Sequence, residues 1–353
     1  MSLWLHRFAM LTAVCTLLLI CVGGVVTSKG VGMAVPDWPT TFGYNMFFFP
    51  FSRWVGGIFY EHTHRLVASA VGFLTVILAL WLWLKEERRW LRWLGVAAVF
   101  AVVLQGVLGG LRVTQLKDEL GIFHAALAQL FFVLTSAIAL FTSRWWIEAQ
   151  KAPVRNYRGL NRLYWLATAL IFAQLVLGAT MRHQHAGLAI SDFPLAHHRL
   201  WPAMDHASIE SYNQQRMETT AVNPITAFQV GLQMIHRITA VLILAAVLWA
   251  AASTKKRLGW KQPLTKLSLV WNLLILSQVA LGAATIWTGK SADIATAHVA
   301  VGALSLMIGA MIILSAQRSL EEAPAVALCE DYSLSTSSIF PIVAPNTSAE
   351  RPA

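Results

Sequence analysis

Apolar residues in this chain run in long blocks separated by short charged connections. Eight blocks reach the length of a membrane-spanning helix, about 20 mostly apolar residues. They cover 8–27, 55–84, 93–112, 121–142, 160–181, 225–252, 266–287 and 294–316. The first follows Arg7 and carries no charge from Phe8 to Val26. A signal-peptide core is shorter, about 7–15 residues, and ends at a small-residue cleavage site. This block shows no such site, so it is expected to stay as the first helix. The expected fold class is an all-α integral membrane protein with eight transmembrane helices.

Composition agrees. Of 353 residues, 57% are hydrophobic and 12% charged, against roughly a quarter charged in a soluble domain, and the mean hydropathy is +0.58. A soluble enzyme is excluded. The formal charge of +10 invites a nucleic-acid reading, which the placement of the charges removes. Sixteen basic residues (Arg7, Lys85, Arg88, Arg89, Arg92, Arg144, Lys151, Arg155, Arg158, Arg162, Lys255, Lys256, Arg257, Lys261, Lys266 and Arg318) fall on one side of the alternating connections. Eight (Lys29, Arg53, Arg112, Lys117, Arg182, Arg199, Arg216 and Lys290) fall on the other. By the positive-inside rule both termini face the cytoplasm and the long 28–54 and 182–224 loops lie outside. Three cysteines, Cys15, Cys21 and Cys329, are too few for a disulfide framework or a four-thiolate site.

The chain also repeats itself. Gln105-Gly-Val-Leu-Gly109 matches Gln174-Leu-Val-Leu-Gly178 and Gln278-Val-Ala-Leu-Gly282. His64-Arg65 matches His236-Arg237, His124 matches His298, and the loop segment Gly32–Pro39 echoes Gly187–Pro194. Four crossings per half keep both halves in one orientation, a parallel repeat. The expected architecture is two four-helix bundles with pseudo-twofold symmetry, residues 1–150 and 151–318, followed by a disordered tail at 319–353 rich in Ser, Pro, Ala and Glu. For the Gln and Gly motif, close helix contact with an internal hydrogen bond is favoured over direct ligation.

A histidine inside a span is costly and marks a functional position. His64, His124, His236 and His298 each lie about 20 positions from the first basic residue at the cytoplasmic end, which is roughly 30 Å of helix or one hydrocarbon thickness. All four imidazoles are therefore expected in one layer, one pair per half. That layout suits axial ligation of an iron porphyrin between facing helices. Zinc would want further Cys or carboxylate ligands beside each pair. The plainer reading, four separate hydrogen-bonded core histidines, loses ground to their equal depth and duplication. His183, His185, His197, His198 and His206 in the third outer loop are read as solvated rather than metal-binding. Trp38, Phe193 and Trp201 are read as interfacial anchors.

One position separates the halves. Glu61, three residues before His64, aligns with Gln233, and on a helix it lies one turn outward on the same face. A carboxylate beside a porphyrin edge suits proton transfer or stabilisation of positive charge on a ring substituent. An i,i+4 ion pair with Arg65 is an equal alternative.

With Glu61-x-x-His64-Arg65, the histidines of the even spans, the eight-span duplication and the Asp-aromatic-Pro loops, the chain resembles the haem A synthase family over residues 1–316. The resemblance implies oxidation of the C8 methyl of haem O to a formyl group by successive hydroxylations, the resulting geminal diol losing water. It places haem O as substrate at His64 and His124 with Glu61 catalytic, and an electron-transferring haem b at His236 and His298. Arg65 and Arg237 would meet haem propionates, or else pair with Glu61 or loop groups. It further implies a bacterial plasma-membrane location, membrane lipid around the chain, and contact with a haem O synthase and cytochrome oxidase assembly factors; the electron acceptor is left open. Unlike some members, this chain has no cysteine pair in the 28–54 loop. A quinol-linked diheme cytochrome that does no chemistry on haem shares the four histidines without requiring Glu61. A transporter would spread its polar groups through the depth of the membrane.

Overall fold

The computed structural model describes residues 3–148, 158–215 and 224–321; their regular structure is helical, joined by turns and irregular loops, without a strand. The helices are α1 Leu3–Ser28, α2 Gly56–Lys85, α3 Arg89–Gln115, α4 Asp118–Phe141, α5 Arg144–Glu148, α6 Arg158–His183, α7 His206–Gln214, α8 Ala227–Leu258, α9 Pro263–Trp287 and α10 Ala292–Glu321. Eight of these are long and apolar enough to cross a membrane, and they are the eight expected from the apolar blocks.

Several helices outrun their apolar blocks, because charged ends need not leave the helix to reach water. α8 continues through Lys255, Lys256 and Arg257 in its last turn, where cations favour the negative end of the helix dipole. Its start is fixed by a capping box between Thr226 and Gln229. Pro263 opens α9, and Asp118 and Glu119 lie in the first turn of α4. Two short helices, α5 and α7, were not expected; Asp205 caps α7 by accepting from the Ser208 amide at 3.0 Å. Lys151, Arg155 and Arg216, three of the basic residues that set the expected orientation, and nearly all of the 319–353 tail lie outside the described residues.

α1 packs on α2 and α4, and α3 on both of these; α6 packs on α8 and α10, and α9 on both of these. The two rings touch through α1–α10, α4–α6 and α4–α10. Each ring is filled at the end that carries the described chain termini. Leu5, Leu78, Leu82, Leu91 and Ile138 close one; Tyr164, Val247, Trp271 and Ile312 close the other. There Trp271 donates to the Ser305 carbonyl at 2.8 Å, and Tyr164 bonds the Thr254 hydroxyl. Phe73, Leu80, Phe100, Val241 and Leu273 point outward and exposed, as a surface facing lipid requires. The opposite end, beneath the 29–55 and 184–226 connections, holds the polar side chains.

Candidate functional site

At this loop end each of the four span histidines is seated on a glycine of a neighbouring helix. A Cβ added at Gly23 of α1 would stand 3.0 Å from His64 Cε1, at Gly109 of α3 3.1 Å from His124, at Gly282 of α9 3.3 Å from His298, and at Gly178 of α6 3.5 Å from His236. Glycine lets each imidazole lie against a neighbouring backbone. His64 and His124 are within electrostatic range of each other, as are His236 and His298.

The glutamines of the repeated motif hold the histidine helices. Gln105 Nε2 donates to the His124 carbonyl at 2.8 Å, Gln174 to that of His236 at 2.9 Å, and Gln278 to that of His298 at 2.8 Å. This is the packing role expected for the motif. In α1, Leu19 stands four residues before Gly23, so the His64 helix has no such glutamine.

The donor set fits an iron porphyrin better than a bare metal ion. Among the described residues no three or more His, Cys, Asp or Glu are grouped to hold a metal. Nδ1 of His64, His236 and His298 is buried without a hydrogen-bond partner, while His124 Nδ1 contacts the Gln105 carbonyl at 3.2 Å. Buried imidazole nitrogens left bare are costly, and a pair of imidazoles with no third protein ligand is a donor set that would hold an iron porphyrin.

Glu61 and Arg65 form the ion pair offered by the sequence, at 2.8 Å, but within a larger clasp. Glu61 Oε2 accepts the Val35 amide at 2.9 Å. Arg65 donates to the carbonyls of Val35, Asp37 and Thr40 at 2.8, 2.7 and 3.0 Å. The second half builds the same clasp from other chemistry. Gln233 accepts the Ile190 amide at 2.7 Å and donates to the Ile190 carbonyl at 3.1 Å. Arg237 donates to Leu195 and Asp192 at 2.8 and 2.7 Å. Of the two roles open to the arginines, loop binding is the one these guanidinium groups make here.

The clasped loops share a turn that the sequence only half disclosed. Asp37 accepts from the amides of Phe42 and Gly43 at 2.7 and 2.8 Å and from the Thr40 hydroxyl at 2.5 Å. Asp192 accepts from the amides of His197 and His198 at 2.7 and 2.8 Å. In both loops the two amide donors lie at positive φ: 49° and 77° at Phe42 and Gly43, 51° and 63° at His197 and His198. Burial acts to raise both carboxyls, yet the hydrogen bonds outweigh it and hold them below the ordinary range.

His197 and His198 are thus turn residues. The His197 ring stacks on Tyr212 at 3.5 Å, and its Nε2 meets the Ala189 carbonyl at 3.1 Å. His183, expected in a solvated loop, is instead buried at the end of α6, with Nδ1 3.5 Å from Asp118, because Gly121 of α4 leaves room for its ring. His185 and His206 are exposed. Trp38 lies with its indole against Gly110, so it docks on α3 while remaining 41% exposed. Phe193 takes a hydrogen bond on its carbonyl from Trp287 at 3.3 Å, and Trp201 is exposed. The sequence reading gave no role to His62, which is fully buried between Phe49 and Trp54 with Nδ1 3.2 Å from the Thr41 hydroxyl. Cys15 and Cys21 are free thiols in α1.

Fold and site together define a multi-pass helical membrane protein with two histidine pairs, each beneath a clasped loop. A family model described as cytochrome oxidase assembly protein, COX15-CtaA, matches residues 50–310. The chain belongs to this family, the haem A synthase family that its motifs resemble. Curated relatives named heme A synthase include one from Shouchella clausii, 28% identical over 80% of this chain and 87% of the relative. Another, from Alkalihalophilus pseudofirmus, is 25% identical over 87% and 95%. A third, from Nitrosomonas eutropha, is 27% identical over 72% and 70%.

Proposed function

We propose that this protein is a haem A synthase that oxidises the C8 methyl of haem O to a formyl group through successive hydroxylations and loss of water from a geminal diol. Residues 1–150 form the catalytic half, with haem O held by His64 and His124. Residues 151–318 form the electron-transfer half, with haem b held by His236 and His298. The observation that carries this division is the Glu61/Gln233 difference within two otherwise matching clasps. The support for haem is the pairing of histidines over glycine seats, together with the family.

When bound, haem b supplies one-electron redox chemistry close to the substrate. His64 and His124 would hold the iron of haem O and His236 and His298 that of haem b, with the glycine opposite each ring limiting how near it can approach its neighbouring helix. Glu61, one turn from His64 toward the loop end, holds or moves a proton at its carboxylate. Arg65 orients that carboxylate through their ion pair, and the Arg65 and Arg237 clasps hold the loops over the site. Haem O reaches the protein from a haem O synthase, and haem A passes on through cytochrome oxidase assembly factors. The family supports a bacterial plasma membrane as the location, and the distribution of basic residues supports an orientation with both termini cytoplasmic.

The test is pigment extraction after expression beside a haem O source. The wild type should yield haem A. Glu61→Gln keeps a side chain that can clasp Val35 as Gln233 clasps Ile190, but it cannot ionise; it should accumulate haem O or a hydroxylated intermediate. Unchanged haem A from Glu61→Gln removes the carboxylate from the chemistry. Absence of haem A from the wild type leaves the second reading, a diheme electron carrier. That reading is favoured by the full engagement of Glu61 in a loop clasp that its neutral counterpart also makes.

A further inference from the structure

The buried guanidinium groups at the loop end are unequally satisfied. Arg65 and Arg237 are bound by loop carbonyls, and Arg182 bonds the Gly24 carbonyl and the Ser28 hydroxyl of α1. Arg112 differs. Its side chain is 17% exposed and approaches Asp118 only at 3.8 Å. Its Nε, like that of Arg237, is buried without a partner, but unlike Arg237 it donates to no carbonyl among the described residues. A buried cation left this bare is costly, and an anion that completes its hydrogen bonds relieves the cost.

Its position says which anion. Gln105, Gly109 and Arg112 occupy one stripe of α3 at i, i+4 and i+7. Gln105 holds the His124 helix, Gly109 seats the His124 ring, and Arg112 follows one turn nearer the loop end. Its charge acts on both His64 and His124. The start of the first loop closes over it: a Cβ at Gly32 would stand 3.0 Å from Nη1. The matching Gly187 of the other half meets only the aliphatic stem of Lys290, a built Cβ standing 3.4 Å from its Cδ.

We infer that Arg112, rather than Arg65, receives a carboxylate of the substrate tetrapyrrole, one of its propionates, at the His64–His124 site. This rests on the haem reading proposed above. The planar guanidinium takes a carboxylate bidentately, with Asp118, 41% exposed, left to its contact with His183 Nδ1 at 3.5 Å.

The test is titration of the purified full-length protein with iron protoporphyrin IX and, separately, with its propionate dimethyl ester, followed in the Soret band. The wild type should bind the free acid at least about tenfold more tightly than the ester, as expected for a charged hydrogen bond. Arg112→Gln should remove that preference while leaving ester binding unchanged, and Arg112→Lys should restore part of it. Arg112→Gln that binds the free acid like the wild type, or that weakens acid and ester equally, overturns the inference. His64→Ala serves as the separate control. If its titration matches the wild type, the porphyrin is not at His64 and the site reading itself fails, whatever Arg112 does.

Discussion

Gln233 grips Ile190 by both backbone groups, accepting its amide at 2.7 Å and donating to its carbonyl at 3.1 Å. In the first half that double grip is divided. Glu61 takes the Val35 amide, and Arg65 serves the Val35 carbonyl. The two clasps therefore do not tolerate exchange equally.

Gln233→Glu places a buried carboxylate against the Ile190 carbonyl, and Arg237 points to Leu195 and Asp192 instead. An unsatisfied buried acceptor costs about 1–3 kcal/mol. Glu61→Gln leaves Arg65 on the Val35 carbonyl. Thermal unfolding in detergent should show the larger drop in midpoint for Gln233→Glu. Equal drops would mean that the clasps are energetically alike.

The glycine seats give a graded series. Gly23→Ala sets its methyl 3.0 Å from His64 Cε1, whereas Gly178→Ala leaves 3.5 Å at His236. The first is tighter than ordinary contact and must displace the ring; the second is ordinary. Haem retained per protein at the first site should fall several-fold for Gly23→Ala and change by less than about twofold at the second site for Gly178→Ala. The reverse order would show that the glycines do not set the approach of the imidazoles.

The loop turns carry a pH signature. The Asp37 carboxyl lies below the ordinary range in the folded loop, so its stabilisation is complete above the unfolded value, about 4. It is lost as pH falls through the lowered folded value. Protection of the Phe42 and Gly43 amides against deuterium exchange should hold from pH 8 to about 5 and weaken only below about 4. Asp37→Asn should lack that acid step. Loss of protection already near pH 6 would point to a different titrating group.

The spans were legible because a bilayer demands long apolar runs, and the histidines because charge and polarity are scarce inside them. The glycine seats for His124, His236 and His298 were visible in the Gln and Gly motif, but the Gly23 seat was not, since α1 has Leu19 where the motif has glutamine. The clasps were legible only in part: the Glu61–Arg65 pair and loop binding by the arginines were among the readings, but which backbone groups Glu61, Arg65 and Gln233 bind was not, because main-chain amides and carbonyls leave no trace in side-chain identity. The turn after Asp37 was half visible in the Asp-aromatic-Pro loops, while His197-His198 at the matching place read as solvated loop histidines. His183 looked solvated because its burial depends on Gly121 of another helix.

Arg182 of α6 reaches across to the Ser28 hydroxyl and the Gly24 carbonyl of α1. In the repeat drawn from the sequence, Arg182 and His183 stand where α1 has Thr27 and Ser28. Two copies of the second half, paired in the same way, would set Arg182 of each against the Arg182 and His183 of the other, with no hydroxyl to receive them. The Arg182 contact therefore joins positions of α6 and α1 that are not alike, which disfavours pairing two copies of residues 151–318. Severed between its halves, the chain should reassemble preferentially as one first half with one second half.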